Sequence, residues 1–114
     1  MIDHPVLNQL VLGYSPMIDR HKAISALRLT VFPARPDLQP DAQALLVALA
    51  EAWPDPAYRL SLNIVSEALL DALMRTDLPL HMMLEVPAFM ACDPACTDAL
   101  TALHARGNTL LIKL

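Results

Sequence analysis

Ten prolines divide a chain of 114 residues into short pieces, and this punctuation limits the fold more than any other feature. Proline fixes its own φ and has no N–H to donate, so a helix or strand must begin at one, end near one, or keep it at a sheet edge. Between the prolines, strand-like runs alternate with runs of helical period. Residues 11–18 read as a short strand interrupted by Gly13 and Pro16, and residues 23–32 as a second that stops before Pro33 and Pro36. The polar turn Asp19-Arg20-His21-Lys22 makes these two a hairpin.

Pro40 suits the first position of a helix, with Asp41 in the same turn favouring the helix dipole. Ala44, Leu45, Val47, Ala48, Leu49 and Trp53 then keep a helical period until Pro54 and Pro56 stop it, which makes Trp53 a packing residue at the helix end. Residues 58–64 alternate strictly: Tyr58, Leu60, Leu62 and Ile64 share one face of a strand, and Arg59, Ser61 and Asn63 share the other. Ser66-Glu67 opens a short helix reaching Arg75, and residues 81–86 form the next strand after Pro79. Asp93-Pro94 is an N-cap followed by a first-turn proline, for a helix that reaches His104 with Gly107 as its left-handed cap. Residues 109–114 are the last strand.

A hairpin followed by three strands linked through helices predicts an α/β fold with a mostly parallel sheet and right-handed crossovers, part of a (β/α) barrel. Five strands do not close such a barrel, so the open edge calls for cover by a homodimer partner or a further C-terminal segment. The size fits one domain, with residues 1–10 as an N-terminal tail.

The composition narrows the function classes. Hydrophobic residues make up 55% of the chain and mean hydropathy is +0.41, yet the longest apolar run, residues 44–50, falls far short of the roughly 18–20 that a membrane span needs. Met1-Ile2-Asp3-His4-Pro5 lacks the basic start of a secretory signal, so a cytoplasmic location is expected. Eight Lys and Arg, scattered through a chain of net charge −4, make no basic stripe for nucleic acid. The apolar excess points instead to protein contacts.

Several tempting groups carry little. Cys92 and Cys96 could face one side of the helix near Pro94, but a structural zinc site wants four ligands, so they read as buried or half-buried thiols. His4, His21 and His104 have no metal-binding spacing, although His81 shares the face of Glu85. Met82 and Met83 point to opposite faces as core filler, and the only glycines, Gly13 and Gly107, make no phosphate loop.

Four runs, in order, resemble the EAL phosphodiesterase family in the form found at the N-terminus of bacterial EAL-HDOD signalling proteins. Tyr14-Ser15-Pro16-Met17-Ile18-Asp19-Arg20 is similar to its opening "Q-P-I-x-D-R". Residues 58–64 resemble its strand carrying an asparagine ligand, and Met83-Leu84-Glu85-Val86 its "L-E-I" strand. Arg106-Gly107-Asn108-Thr109-Leu110-Leu111-Ile112 resembles the "G-x-x-L-A-L" that leads into "D-D-F-G". The resemblance implies residues 1–114 as a single truncated EAL-like domain.

In that family, Mg2+ or Mn2+ held by carboxylates and the asparagine activates water against cyclic di-GMP. Asn63 and Glu85 match two ligand positions, but Ala26-Leu27-Arg28-Leu29 stands at the E-A-L position with Arg28 for the glutamate, and Lys113 stands for the first aspartate. The expectation is therefore a degenerate module with no catalytic residues, no metal and no cofactor, acting in signalling through protein–protein contacts. Arg28, Asn63, Glu85 and Lys113 would form a vestigial polar centre, with Lys113, joined by Arg28, pairing with Glu85. A receptor that binds cyclic di-GMP through Arg28, Arg59 or Lys113 without cutting it is the alternative, and a working phosphodiesterase the third.

Overall fold

A computed structural model describes residues 10–34, 41–52 and 59–114. Strand β1 (Leu10–Ile18) and β2 (Ile24–Pro33) form the antiparallel hairpin, and α1 (Ala42–Ala52) leads to β3 (Arg59–Ile64). Then follow α2 (Glu67–Met74), β4 (Met82–Pro87), α3 (Ala88–Ala91), α4 (Pro94–Ala105) and β5 (Leu110–Lys113). The sheet order is β1-β2-β3-β4-β5, with β2 through β5 all parallel, so the fold is mixed α/β as the alternation predicts.

Local chemistry sets the element ends. The hairpin turn closes on Asp19, whose Oδ1 accepts the N–H groups of His21 at 2.8 Å and Ala23 at 3.1 Å. Ser66 Oγ caps α2 by accepting from Leu69 N–H at 3.3 Å, and Asp93 Oδ1 caps α4 by accepting from Ala95 N–H at 3.0 Å. At the far end of α4, Asn108 N–H donates to Leu103 C=O and Gly107 N–H to His104 C=O, a Schellman closure that needs the positive φ of 101° at Gly107.

The structure corrects several details. β1 runs unbroken through Gly13 and Pro16, because as an edge strand it can spare the missing donor, and it starts at Leu10 inside the expected tail. Asp41 lies before α1 and caps it, its Oδ1 accepting from Gln43 N–H at 2.9 Å, instead of acting from within the first turn. Helix α3 was not foreseen, since four residues after Pro87 are too few to show a period. Cys96 is buried in α4, whereas Cys92 precedes that helix and is exposed, so the two do not share a helix face. Pro40, Trp53, Pro54, Pro56 and Tyr58 lie outside the described residues.

The core lies between one face of the sheet and α1, α2 and α4. Leu29 and Val31 from β2, Leu60, Leu62 and Ile64 from β3, and Met82, Leu84 and Val86 from β4 join Leu45, Leu49, Leu70, Leu73 and Leu103 from the helices in one cluster. The alternating residues therefore face the other way and form a separate polar surface. Among the described residues, no helix is long and apolar enough to cross a membrane.

Leu62 is completely buried at the centre of this cluster, so Leu62→Ala should lower unfolding free energy by about 2–5 kcal/mol in urea titration. Gly107→Ala should cost about 1 kcal/mol through its backbone alone, with an unchanged m-value.

Candidate functional site

The strand register places Arg28, Thr30, Arg59, Ser61, Asn63, Glu85 and Lys113 on the sheet face away from the helices. Arg28 is level with Ser61 on β3, which is level with Met83 on β4, so Glu85 sits one strand beyond and two residues further along. Such a diagonal is about 10 Å across the sheet and about 7 Å along it. An arginine is long enough to span it toward a glutamate.

It does so as a fork. Arg28 Nη2 donates to Glu85 Oε1 at 2.7 Å, and Nε donates to Oε2 at 2.9 Å and Oε1 at 3.1 Å. Ser61 Oγ adds a further donor to Oε2 at 2.8 Å. Glu85 is 4% exposed and Ser61 fully buried, while the Arg28 side chain keeps 38% of its surface in water. The hydrogen bond to Glu85 holds the Arg28 guanidinium above its ordinary range, with burial opposing and the charge of Glu85 adding to the rise. A cation whose pKa is raised stays protonated through its whole usual range, so the arginine side of this pair does not switch near neutrality.

Lys113 makes the opposite diagonal. Its Nζ donates to Asn63 Oδ1 at 2.6 Å, reaching back over β4 to β3, and Asn63 Nδ2 donates to Thr30 Oγ1 at 3.3 Å on β2. Arg59 crosses β4 in turn, its Nη2 donating to Thr109 Oγ1 at 2.8 Å. Three cations thus lie across one face, each reaching over a neighbouring strand.

All four expected residues of the polar centre occupy this face, but their pairing differs from expectation. Glu85 is bound by Arg28 and not by Lys113, which takes Asn63 instead. The reason is register and shape: the guanidinium offers two parallel N–H groups to two carboxylate oxygens, whereas the Lys113 ammonium is a point charge that bonds the single oxygen of Asn63. Ser61 and Thr30 complete the network and were not singled out from sequence; Ser61 could have been found, since it alternates with Asn63 on the same strand. Glu85 accepts twice on each oxygen and Asn63 Oδ1 is held by a lysine, so the two positions suited to a divalent ion have their oxygens occupied by donors. Residues of this kind do not fit a Mg2+ or Mn2+ site, which needs several free oxygens. His81 remains in the turn before β4, half-buried.

No family model matches the chain, and no curated protein matches it. A solved structure described as PaMucR phosphodiesterase in complex with c-di-GMP is similar in fold, with a TM-score of 0.52 at 20% identity over 91% of this chain. The chain spans 57% of the length of that protein.

Removing the fork exposes its worth. Arg28→Met should destabilise the fold by about 1–3 kcal/mol, because it leaves a buried carboxylate with only Ser61 as donor. Arg28→Lys should recover only part of the loss, and adding Glu85→Gln to Arg28→Met should recover much of it. A double-mutant cycle by chemical denaturation measures the coupling, expected above about 1 kcal/mol.

Proposed function

We propose that residues 1–114 belong to a degenerate EAL-like domain, a partial (β/α) barrel that acts in cyclic-di-GMP-related signalling through protein contacts and without catalysis. The observation that carries this reading is the occupation of Glu85 and Asn63 by cations. Where the resemblance calls for further acidic ligands, Arg28 and Lys113 bring positive charge, and both turn it onto the two oxygen-bearing residues that remain. A divalent ion entering here would have to displace a forked ion pair and meet two like charges. The fold likeness to a c-di-GMP phosphodiesterase supplies the signalling context. The partner is a second copy or a further segment along the sheet edge, in the cytoplasm.

One observation favours a second reading, a receptor that holds cyclic di-GMP uncut. Arg59 and Lys113 each bond a neutral oxygen and, among the described residues, have no acid partner, so their charges are available to phosphates.

Calorimetric titration with cyclic di-GMP, alone and with Mn2+, combined with a product assay, separates the readings. The expected result is no heat and no product; heat without product would favour the receptor, and Mn2+-dependent product would refute the loss of catalysis. Reversing the substitutions gives an independent check. The double variant Arg28→Glu with Lys113→Asp should be less stable without metal and should gain about 1.4 kcal/mol from Mn2+ at ten times its dissociation constant, read as a melting shift of several degrees. The unaltered chain should show no such shift.

A further inference from the structure

Every residue from Ile18 to Ile24, where β1 turns into β2, is exposed, so nothing among the described residues covers this tip. Asp19 builds it by turning its polar groups onto the main chain. Its C=O accepts from Lys22 N–H at 3.0 Å, and its Oδ1 accepts from the N–H groups of His21 and Ala23. The loop is thereby fixed with Arg20, His21 and Lys22 in solvent. Arg20 Nε donates to His21 Nε2 at 3.4 Å, and among the described residues neither Arg20 nor Lys22 meets a carboxylate. Lys22 has a φ of 63°, in the left-handed region that suits glycine and that lysine rarely enters; besides Gly107 it is the only positive φ among the described residues. A cation is thus kept where the backbone alone favours a glycine.

Two isoleucines flank these cations. Ile18 and Ile24 are partners across the hairpin and are 62% and 51% exposed. β3, β4 and β5 begin at the same end of the sheet, which also carries Arg59 and, in the turn before β4, the exposed Leu80. Asp77, close by in sequence, is matched by Arg106 at 3.7 Å. The helices begin at the opposite end, with Asp41, Glu67 and Asp93 at their N-termini. A chain of net charge −4 thus sets cations and exposed apolar side chains at one end and capping acids at the other. β1 begins and β5 ends at the acid-capped end, so chain continuing from either strand sets out away from the tip.

We infer that the β1–β2 tip rests on an anionic lipid surface, with Ile18 and Ile24 in the headgroup layer and Arg20 and Lys22 on the lipid phosphates. Each cation close to a negatively charged leaflet strengthens binding about fivefold, and burial of the isoleucines adds a part that salt does not screen. An acidic protein would satisfy the cations and leave the paired isoleucines without a role. A bilayer uses both, and its flat surface meets a projecting hairpin without shape matching. Contact of this kind needs no spanning segment.

The tip lies outside the polar face, so the inference stands whether or not that face holds a nucleotide. Co-sedimentation of the full chain with phosphatidylcholine vesicles containing about one third phosphatidylglycerol, against phosphatidylcholine alone, tests it. The chain should bind the anionic vesicles only, and more weakly as salt rises. Lys22→Gly removes the charge and suits the backbone, so it should weaken binding about fivefold while the melting temperature stays the same or rises. Ile18→Ser combined with Ile24→Ser should weaken it at least about tenfold. Val47→Ser, on the exposed side of α1, should change nothing. No binding to anionic vesicles, equal binding to both kinds, or indifference to Lys22→Gly or to the isoleucine pair would each overturn the inference. So would capture by soluble polyglutamate as tight as by vesicles and unaffected by the isoleucine pair, which would mark the tip as a site for an acidic protein.

Discussion

A carboxylate at 4% exposure on an inner strand is the constraint around which one face of this molecule is organised. Glu85 must be held by donors, since a buried, uncompensated charge costs several kcal/mol. Arg28 answers from two strands away, and its length fixes which strands must be neighbours and in what register. The fork therefore ties β2 to β4 across β3, the same three strands that the hydrophobic cluster holds from the other side. Packing and electrostatics make the same demand on the register, because slipping β4 by one residue would turn Glu85 into the leucine-rich core and Leu84 onto the polar face.

The diagonal links have a second consequence. A parallel sheet is usually covered on both faces, yet among the described residues helices build the core on one face only. On the other, Ser61, Met83 and Glu85 are still buried, beneath a surface crossed by Arg28, Arg59 and Lys113. The aliphatic stems of such residues shield apolar and polar neighbours alike while their charged ends find partners. This face thus closes on itself through side chains of opposite character.

How much of this was legible in the sequence varies with the range of the interaction. Strands β3 and β4, helix α2 and the caps at Ser66, Asp93 and Gly107 were readable, because alternation and capping are settled within a few neighbouring residues. So was the shared face of Arg28, Asn63, Glu85 and Lys113, which follows from period-two parity once the strands are assigned. The continuity of β1 through Pro16 was not, because it depends on that strand having a free edge. The position of Cys92 outside α4 turned on where a cap fell between two short helices.

The amino-acid order by itself determined most of the strand and helix succession, the polar face, and the placing of Arg28 and Lys113 upon it, since these rest on local geometry and residue chemistry. Only the tertiary structure decided who holds whom. Arg28 takes Glu85 and Lys113 takes Asn63 because parallel register sets each residue's level, and the forked guanidinium matches a carboxylate where an ammonium cannot. Such pairings join residues 57 and 50 positions apart, a distance over which only the assembled sheet carries information.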